Sequence, residues 1–478
     1  MSDPNEIRLV LSVAGWDDLR EAYEAWDADA VQRQLNARMR LGRDDLFSVV
    51  AYPSNIPIPD GVDISREQLR KFLVFGIIFH GDHEALEAFA NSVRETFGPE
   101  AGVGADLVVS PAQDHFWTHW CPNEARDGLM GDRATALRMI RADQALLIEA
   151  ELPGPEPVNL VFVDTGLPQA LLPAGGFKGW PVLEDPTRPG GDVRFPGHPL
   201  TSHGEMVARN ARAVALAAAP PARLKLLDCP AIPDGITKLP VFLHSVVAAL
   251  FSILVTITTG SRRTEGWVIC NAWGVFDPTV KPGQIDYAAN PHHPIAVALR
   301  LLDVIGADLV FAAGNCGQFC PHPRCSPEFT GPGRSINGAN ALPEVLTVGA
   351  VRNDRLWLGY SGQGPGIDGM AHDKPDICAP SQFASDDYPG SNTGTSAACG
   401  LAAGAVALLR TKWRRSPIPG PNELANRIRE AAVQPYGPAG WQQRTGYGIL
   451  NLVETAATMN RHAATAAQPK LRSTTESA

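Results

Sequence analysis

The chain has 478 residues, with 41 Lys and Arg against 51 Asp and Glu, a net charge of −10. That length can bury a large core, enough for one big domain and a smaller one. The negative balance and the lack of a long basic run exclude nucleic acid as the expected partner. Hydrophobic residues at 44% and charged residues at 19% are ordinary for a soluble globular protein. The first residues, Met1 to Glu6, are polar and acidic and do not read as a secretory signal. The expected compartment is therefore the cytoplasm, with the eight cysteines mostly reduced.

In chain order, Ile7–Val13 reads as a strand and Trp16–Arg38 as a helix with apolar residues at helical spacing. Phe47–Tyr52 is a second strand, and the proline-bearing stretch 53–63 a loop. Phe72–His80 is a strand, Asp82–Phe97 a helix capped near Asp82, and Ala105–Ser110 another strand. His115, His119 and Cys121 sit among aromatic residues and read as a packing patch, since three ligands fall short of a tetrahedral set. Residues 132–152 look helical or mixed, and 153–157 is a proline-rich linker. The expected layout is a smaller α+β N-terminal domain over residues 1–152, a larger α/β domain over 153–458, and a disordered tail over 459–478.

After the linker the pattern changes. Val158–Val163 is a continuous apolar run, as in a parallel strand buried on both faces. Leu224–Leu227, Val268–Asn271, Leu309–Ala313 and Val345–Val348 repeat the pattern, with helical stretches at His203–Ala217, Val241–Thr258 and Pro294–Ile305 between them. The alternation predicts a parallel sheet with helices on both faces. Leu239–Thr259 is about as apolar as a membrane span, but its setting favours a buried core helix, so no membrane partner is expected.

Four short motifs carry chemistry. Asp164 ends the first buried strand in Val163-Asp164-Thr165-Gly166, at the sheet edge where functional groups gather. His203 opens a helix after Ser202, and Asn315 follows a strand in Ala313-Gly314-Asn315, where its amide could donate to an oxyanion. Ser396, in Gly394-Thr395-Ser396, begins a helix of small apolar residues; the backbone N–H groups there suit a nucleophile. Each signal is weak alone: Ser396 in isolation reads better as a cap and His203 as a loop residue, and Asp164 and Asn315 have common turn readings. Together they supply acid, base, amide donor and nucleophile in the order Asp, His, Asn, Ser.

In that order the sequence resembles the subtilisin-like serine peptidases, the subtilases, over roughly Val158–Val453. The motifs are Asp164-Thr165-Gly166, His203-Gly204-x-x-Val207-Ala208, Ala313-Gly314-Asn315 and Gly394-Thr395-Ser396-x-Ala398. Val345–Ala350 and Lys374–Pro380 agree as well. Met206 stands where a second His is usual, and Gly400 where proline is usual. The resemblance implies a subtilisin-like fold and a serine endopeptidase. Asp164, His203 and Ser396 would form the triad, with Asn315 as oxyanion donor and Ala272, Trp273, Gly274, Ala313 and Gly314 binding an extended peptide as an added strand. Trp273 is bulky for a groove wall and is expected to narrow or redirect a subsite, or else to be a core aromatic. Two rival functions are a catalytically weak peptide-binding module, motivated by Met206 and Gly400, and a peptide ligase or cyclase using the same acyl-enzyme.

Cys316, Cys320, His322 and Cys325 follow the asparagine directly and are weak zinc candidates, since their spacing fits no standard zinc pattern. A structural disulfide or free thiols fit better, and the resemblance implies a stapling pair at this loop. No cofactor is required for the chemistry, and no acidic loop reads as a calcium site. The expected partner is a protein or peptide substrate, with limited targets inside the cell. The resemblance implies that the N-terminal unit is a propeptide, cleaved near the linker, or a permanent domain that inhibits the site or recruits a partner.

Overall fold

The computed structural model describes residues 7–111 (except 15–16, 26, 40, 42–45, 52–61, 63–64, 66–67 and 69–70), 129–144, 157–183, 193–218, 222–232, 243–259, 265–280, 285–413 and 420–467. The aromatic patch 113–121 and nearly all of the linker 153–157 lie outside them. The front unit runs β1 (Ile7–Ala14), α1 (Asp17–Glu24), α2 (Ala28–Met39), β2 (Phe47–Ala51), β3 (Phe72–Phe79), α3 (His83–Phe97), β4 (Gly102–Ala105) and the two-residue β5 (Ser110–Pro111). Strands β2-β3-β1-β4 form an antiparallel sheet. The single helix expected over 16–38 is two: Asp27 Oδ1 accepts from the Ala30 N–H at 2.8 Å and starts the second. Asp82 does cap α3, accepting from the Ala85 N–H at 2.9 Å. The strand expected over 105–110 is split: β4 ends at Ala105, and Asp106, whose N–H still donates to the Arg8 carbonyl at 3.2 Å, turns its carboxylate into a buried ionic cluster.

A short helix α4 (Arg133–Met139) follows. The larger unit then contains β6 (Val158–Val163), a small hairpin of β7 (Val182–Leu183) and β8 (Val193–Arg194), α5 (His203–Ala217), β9 (Leu224–Cys229), α6 (Leu243–Thr258), β10 (Trp267–Asn271) and β11 (Trp273–Gly274). It continues through α7 (Pro294–Val304), β12 (Asp308–Ala312), β13 (Val345–Val351), β14 (Ile377–Pro380), α8 (Gly394–Lys412), α9 (Pro421–Ala431) and α10 (Leu452–Ala467). Six strands form a parallel sheet in the order β14-β13-β12-β10-β6-β9. Leu160 and Phe162 of β6 face a core shared with α5 and α8, while Val161 and Val163 face one shared with α6 and α7. Burial on both faces is why this strand lacks alternation. The chain leaves β6 for β9 on one side and returns to β10 on the other, so a crevice opens at the C-terminal ends of β6 and β10.

Two boundaries differ from expectation. Residues 130–144 belong by packing to the larger unit: Ala136, Ile140 and Ala142 share the core of α5 and α8, and the Leu452 N–H donates to the Ile140 carbonyl at 3.0 Å. Helix α10 runs to Ala467, past the expected start of the tail at 459.

Helix α6 explains its own composition. All its residues but Ser252 and Thr258 are buried, because it lies between two sheets. One side packs on β6 and β10. The other meets Val10, Phe72 and Val74 of the front sheet, with the Phe72 and Phe251 rings stacked at 4.4 Å. A helix covered on both sides needs no polar stripe. No helix among the described residues is long and apolar enough to cross a membrane.

Polar groups fix this docking. Buried Asp106 accepts from the His244 N–H at 3.0 Å, from His244 Nδ1 at 2.8 Å and from Arg8 Nε at 3.1 Å, at the first turn of α6. Burial pushes the Asp106 carboxyl up, but His244 and Arg8 outweigh it and hold it below the usual range. Nearby, His293 accepts from the Ile295 N–H through Nδ1 at 3.2 Å, capping α7, and donates through Nε2 to the Ala105 carbonyl at 2.9 Å. The bond at Nδ1 requires the neutral ring, while the one at Nε2 can be made by either form. Burial pushes His293 down to about 4, against the upward pull of the Ala105 bond and the Asp106 and Asp286 charges. Tyr287 packs edge-on to the ring at 5.2 Å.

A histidine depressed in the fold lends stability that is complete above its free value near 6.5 and is lost as pH falls toward 4. His293 should therefore cost the fold about 3 kcal/mol across that window. His293→Asn, which can still cap α7 but cannot titrate, should flatten the pH dependence of the urea midpoint between pH 7 and 4 by that amount. An unchanged slope would show that the ring is not held neutral.

Candidate active site

The candidate groups converge on the crevice beyond β6 and β10. Asp164 follows β6, and its Oδ1 accepts from its neighbour's amide, Thr165 N–H, at 2.7 Å and from His203 Nδ1 at 2.6 Å. His203 is the first residue of α5. Gly204 lets the helix start sit this close: a Cβ there would lie 2.5 Å from the Gly166 carbonyl oxygen and 3.2 Å from Asp164 Oδ1. Met206, where a second histidine is usual, is fully buried in the core beneath α5.

Ser396 is the third residue of α8. Helices α5 and α8 cross where side chains are absent. A Cβ on Gly400 would lie 2.6 Å from the Val207 carbonyl, and one on Gly404 2.3 Å from that of Ala211. Gly400 is therefore a packing requirement at the crossing that sets the serine helix against the histidine helix.

Asn315 follows β12 after Gly314, whose φ of +83° turns the chain into the site. Its Oδ1 accepts from the N–H and Oγ1 of Thr395 at 3.0 and 2.9 Å. Two donors on the oxygen orient the amide nitrogen away from α8. Cys316 and Cys325 form a disulfide directly after it. The His322 N–H donates to the Asn315 carbonyl at 2.8 Å, and His322 Nδ1 accepts from the Arg324 N–H at 3.2 Å. Cys320 is disulfide-bonded as well, so it is not a spare thiol. With these sulfurs oxidised the zinc candidates have no thiolates to offer, and no metal-holding cluster occurs among the described residues.

The crevice is closed in this arrangement. Asp164, His203, Asn315 and Ser396 are all between 0 and 1% exposed. Ser396 Oγ donates to the Ala272 carbonyl at 3.1 Å, and His203 Nε2 is buried with no hydrogen-bond partner among the described residues. The edge expected to bind peptide is also occupied: β11 pairs antiparallel with β5 of the front unit, Trp273 opposite Pro111 and Gly274 opposite Ser110. The Trp273 side chain does not line a groove. It is fully buried, donates through Nε1 to Asn271 Oδ1 at 3.1 Å and meets Phe311 edge-on at 5.6 Å. A cleft of about 20 Å³, room for one water, is lined by Gly274, Phe276, Ala313, Gly314 and Asn315 among others. Of the expected peptide-binding residues, Gly274, Ala313 and Gly314 reach it.

The motifs did not point to Asp228, at the end of β9. Its Oδ2 accepts from the Leu167 and Gly197 N–H groups at 3.1 and 2.9 Å, tying down two loops beside His203. Burial, with help from Asp164, pushes it up to about 7 against those two hydrogen bonds. The strand-end position that marks Asp164 would have marked it too.

The Subtilase family model matches residues 262–448, a span that holds Asn315 and Ser396. No curated protein matches the chain. Fervidolysin from Fervidobacterium pennivorans, a keratinolytic enzyme related to subtilisin, superposes with a TM-score of 0.50 at 15% identity, covering 95% of this chain and 61% of that one. MycP1 from the ESX-1 type VII secretion system gives 0.43 at 20% identity over 74% of this chain and 90% of that one. MycP1 from Mycobacterium smegmatis gives 0.42 at 19% identity over 74% and 89%. The six-stranded parallel sheet is subtilisin-like, and over residues 262–448 the chain is similar to the subtilase family of serine peptidases.

Proposed function

We propose that the chain is an endopeptidase acting through Asp164, His203 and Ser396, held latent by its N-terminal unit. The observation that carries this is the 2.6 Å His203–Asp164 bond at one end of a crossing that brings α8 against α5. Ser396 Oγ attacks a peptide carbonyl while His203 Nε2 takes its proton and returns it to the leaving amine. Asp164 holds the ring with its proton on Nδ1 and stabilises the imidazolium. The Asn315 amide and the Ser396 N–H bind the oxyanion. No step calls on a metal or cofactor.

Latency rests on two contacts. Ser396 must leave the Ala272 carbonyl before it can give a proton to His203. A substrate strand must displace β5 from β11. The reading as an inactive binding module loses its motive, because Met206 and Gly400 both have packing roles. Ligation would share the acyl-enzyme and differ only in the acceptor. The Cys316–Cys325 disulfide supports an oxidising compartment over the cytoplasmic one expected from the first residues.

Full-length protein and its Ser396→Ala variant should be treated with a fluorophosphonate and weighed intact. Wild type should label slowly, and at least 10-fold faster after limited proteolysis removes the front unit, since each 1.4 kcal/mol of restraint is a factor of 10. Ser396→Ala should not label. Failure of wild type to label in either state would sink the peptidase reading. Asn315→Ala should lower kcat by about 10²–10³ with little change in KM, a range taken from subtilisin's own oxyanion asparagine.

A further inference from the structure

Outside the triad, one buried cation joins the helix that carries His203 to the loop that leads into the helix of Ser396. Arg133 opens α4, in the short segment that links the front unit to the larger one. It is only 8% exposed. Its guanidinium reaches three side chains: Nε donates to Asn210 Oδ1 at 2.8 Å, Nη2 to Ser385 Oγ at 3.0 Å, and Nη1 to Asp387 Oδ1.

These partners belong to different parts of the site. Asn210 lies on α5, two turns beyond His203. Ser385 and Asp387 lie in the loop that runs into Gly394-Thr395-Ser396. Ser385 Oγ also accepts from Asn392 Nδ2 at 3.0 Å, two residues before α8 begins. The same loop touches α5 at two other points, Tyr388 OH with Ser202 Oγ at 3.0 Å and Asp387 with Arg209 at 3.5 Å. The backbone beside Arg133 clamps the loop in register: Met130 N–H to Gln382 O at 2.8 Å, Arg133 N–H to Ala384 O at 2.9 Å, and Ala384 N–H to Gly131 O at 3.1 Å.

We propose that Arg133 is a positioning residue for the peptidase reaction, a fork that holds the loop ahead of Ser396 against the helix of His203. A planar guanidinium suits this, because its donors lie in one rigid plane and hold three acceptors in fixed directions, whereas an ammonium's three donors rotate on a flexible stem. The inference rests on the peptidase reading above. It also constrains processing: an active form that sheds the front unit must keep residues 130–133. A cut near 153–157 followed by loss of everything before it would remove the fork.

The test compares full-length wild type with Arg133→Ala, Arg133→Lys and Asp387→Asn, by peptide turnover and by hydrogen exchange. Arg133→Ala should lower kcat about 10-fold or more with KM within two-fold, as small misplacements do. Arg133→Lys should recover part of that loss. Exchange should quicken at 382–396 and 203–210 while β1 and β3 stay protected. If Arg133→Ala does not fold, Asp387→Asn, whose side chain is half exposed, should show the same kcat loss and local exchange to a smaller degree. Unchanged kcat and exchange, or a loss of kcat matched by loss of protection throughout the chain, would overturn the proposal. Turnover is read before and after limited proteolysis removes the front unit; should wild type show none in either state, the peptidase reading fails separately and exchange at 382–396 alone decides whether Arg133 holds the loop.

Discussion

Helices α5 and α8 meet backbone to backbone, with no space for a Cβ on Gly400 or Gly404 against Val207 and Ala211. Everything chemical in the crevice depends on that approach. His203 is the first residue of one helix and Ser396 the third of the other, so the spacing of the two axes sets where imidazole and hydroxyl can meet. A core packed at crystal-like density transmits such a constraint without slack. Alanine at either glycine would have to push the helices apart, and the displacement would appear at the helix starts, where the reacting atoms are. Thr395 extends the same logic sideways, since its N–H and Oγ1 both hold Asn315 Oδ1 and tie the oxyanion amide to the helix that carries the nucleophile.

The second organising feature is a helix wedged between two sheets. Covering α6 on both sides makes the front unit part of the core of the larger one, not an appendage. The polar cluster of Arg8, Asp106 and His244 then sits where a carboxylate faces the positive end of α6. Desolvating that carboxylate is costly unless every partner is present, so the cluster specifies one docked arrangement. His293 adds a bond that exists only while its ring is neutral. Docking and protonation are thereby linked at the seam between the two units.

The sequence made the larger unit readable because its strands are buried on both faces and stand out as apolar runs, and because Asp164, His203, Asn315 and Ser396 each end or begin an element. Val158–Val163 and His203–Ala217 agree with the structure residue for residue. What stayed hidden depends on contacts across long separations. Trp273 reads from sequence as either a groove wall or a core aromatic, and only its contact with Phe311 on another strand decides for the core. Arg133 and Asn210 are 77 residues apart, and nothing local marks either. The break after Glu24 and the split at Asp106 both turn on one aspartate side chain taking a backbone N–H, Asp27 that of Ala30 and Asp106 that of His244. Gly400 looked like a departure and is a fit, visible only once Val207 lies opposite.

The closed state and the reactive state compete for the same atoms. The β11 edge has one row of backbone groups to offer, and β5 uses part of it. The Ala272 carbonyl, at the start of that edge, holds the Ser396 hydroxyl. A substrate strand arriving at β11 would take the place of β5 and would also approach the carbonyl that holds the nucleophile. Displacement of the front strand and release of the hydroxyl toward His203 Nε2 thus concern one segment, residues 272–274. That ring nitrogen, buried and unpartnered among the described residues, is the acceptor the hydroxyl would find. The balance is then set by how tightly the front unit docks on α6, far from the reacting atoms.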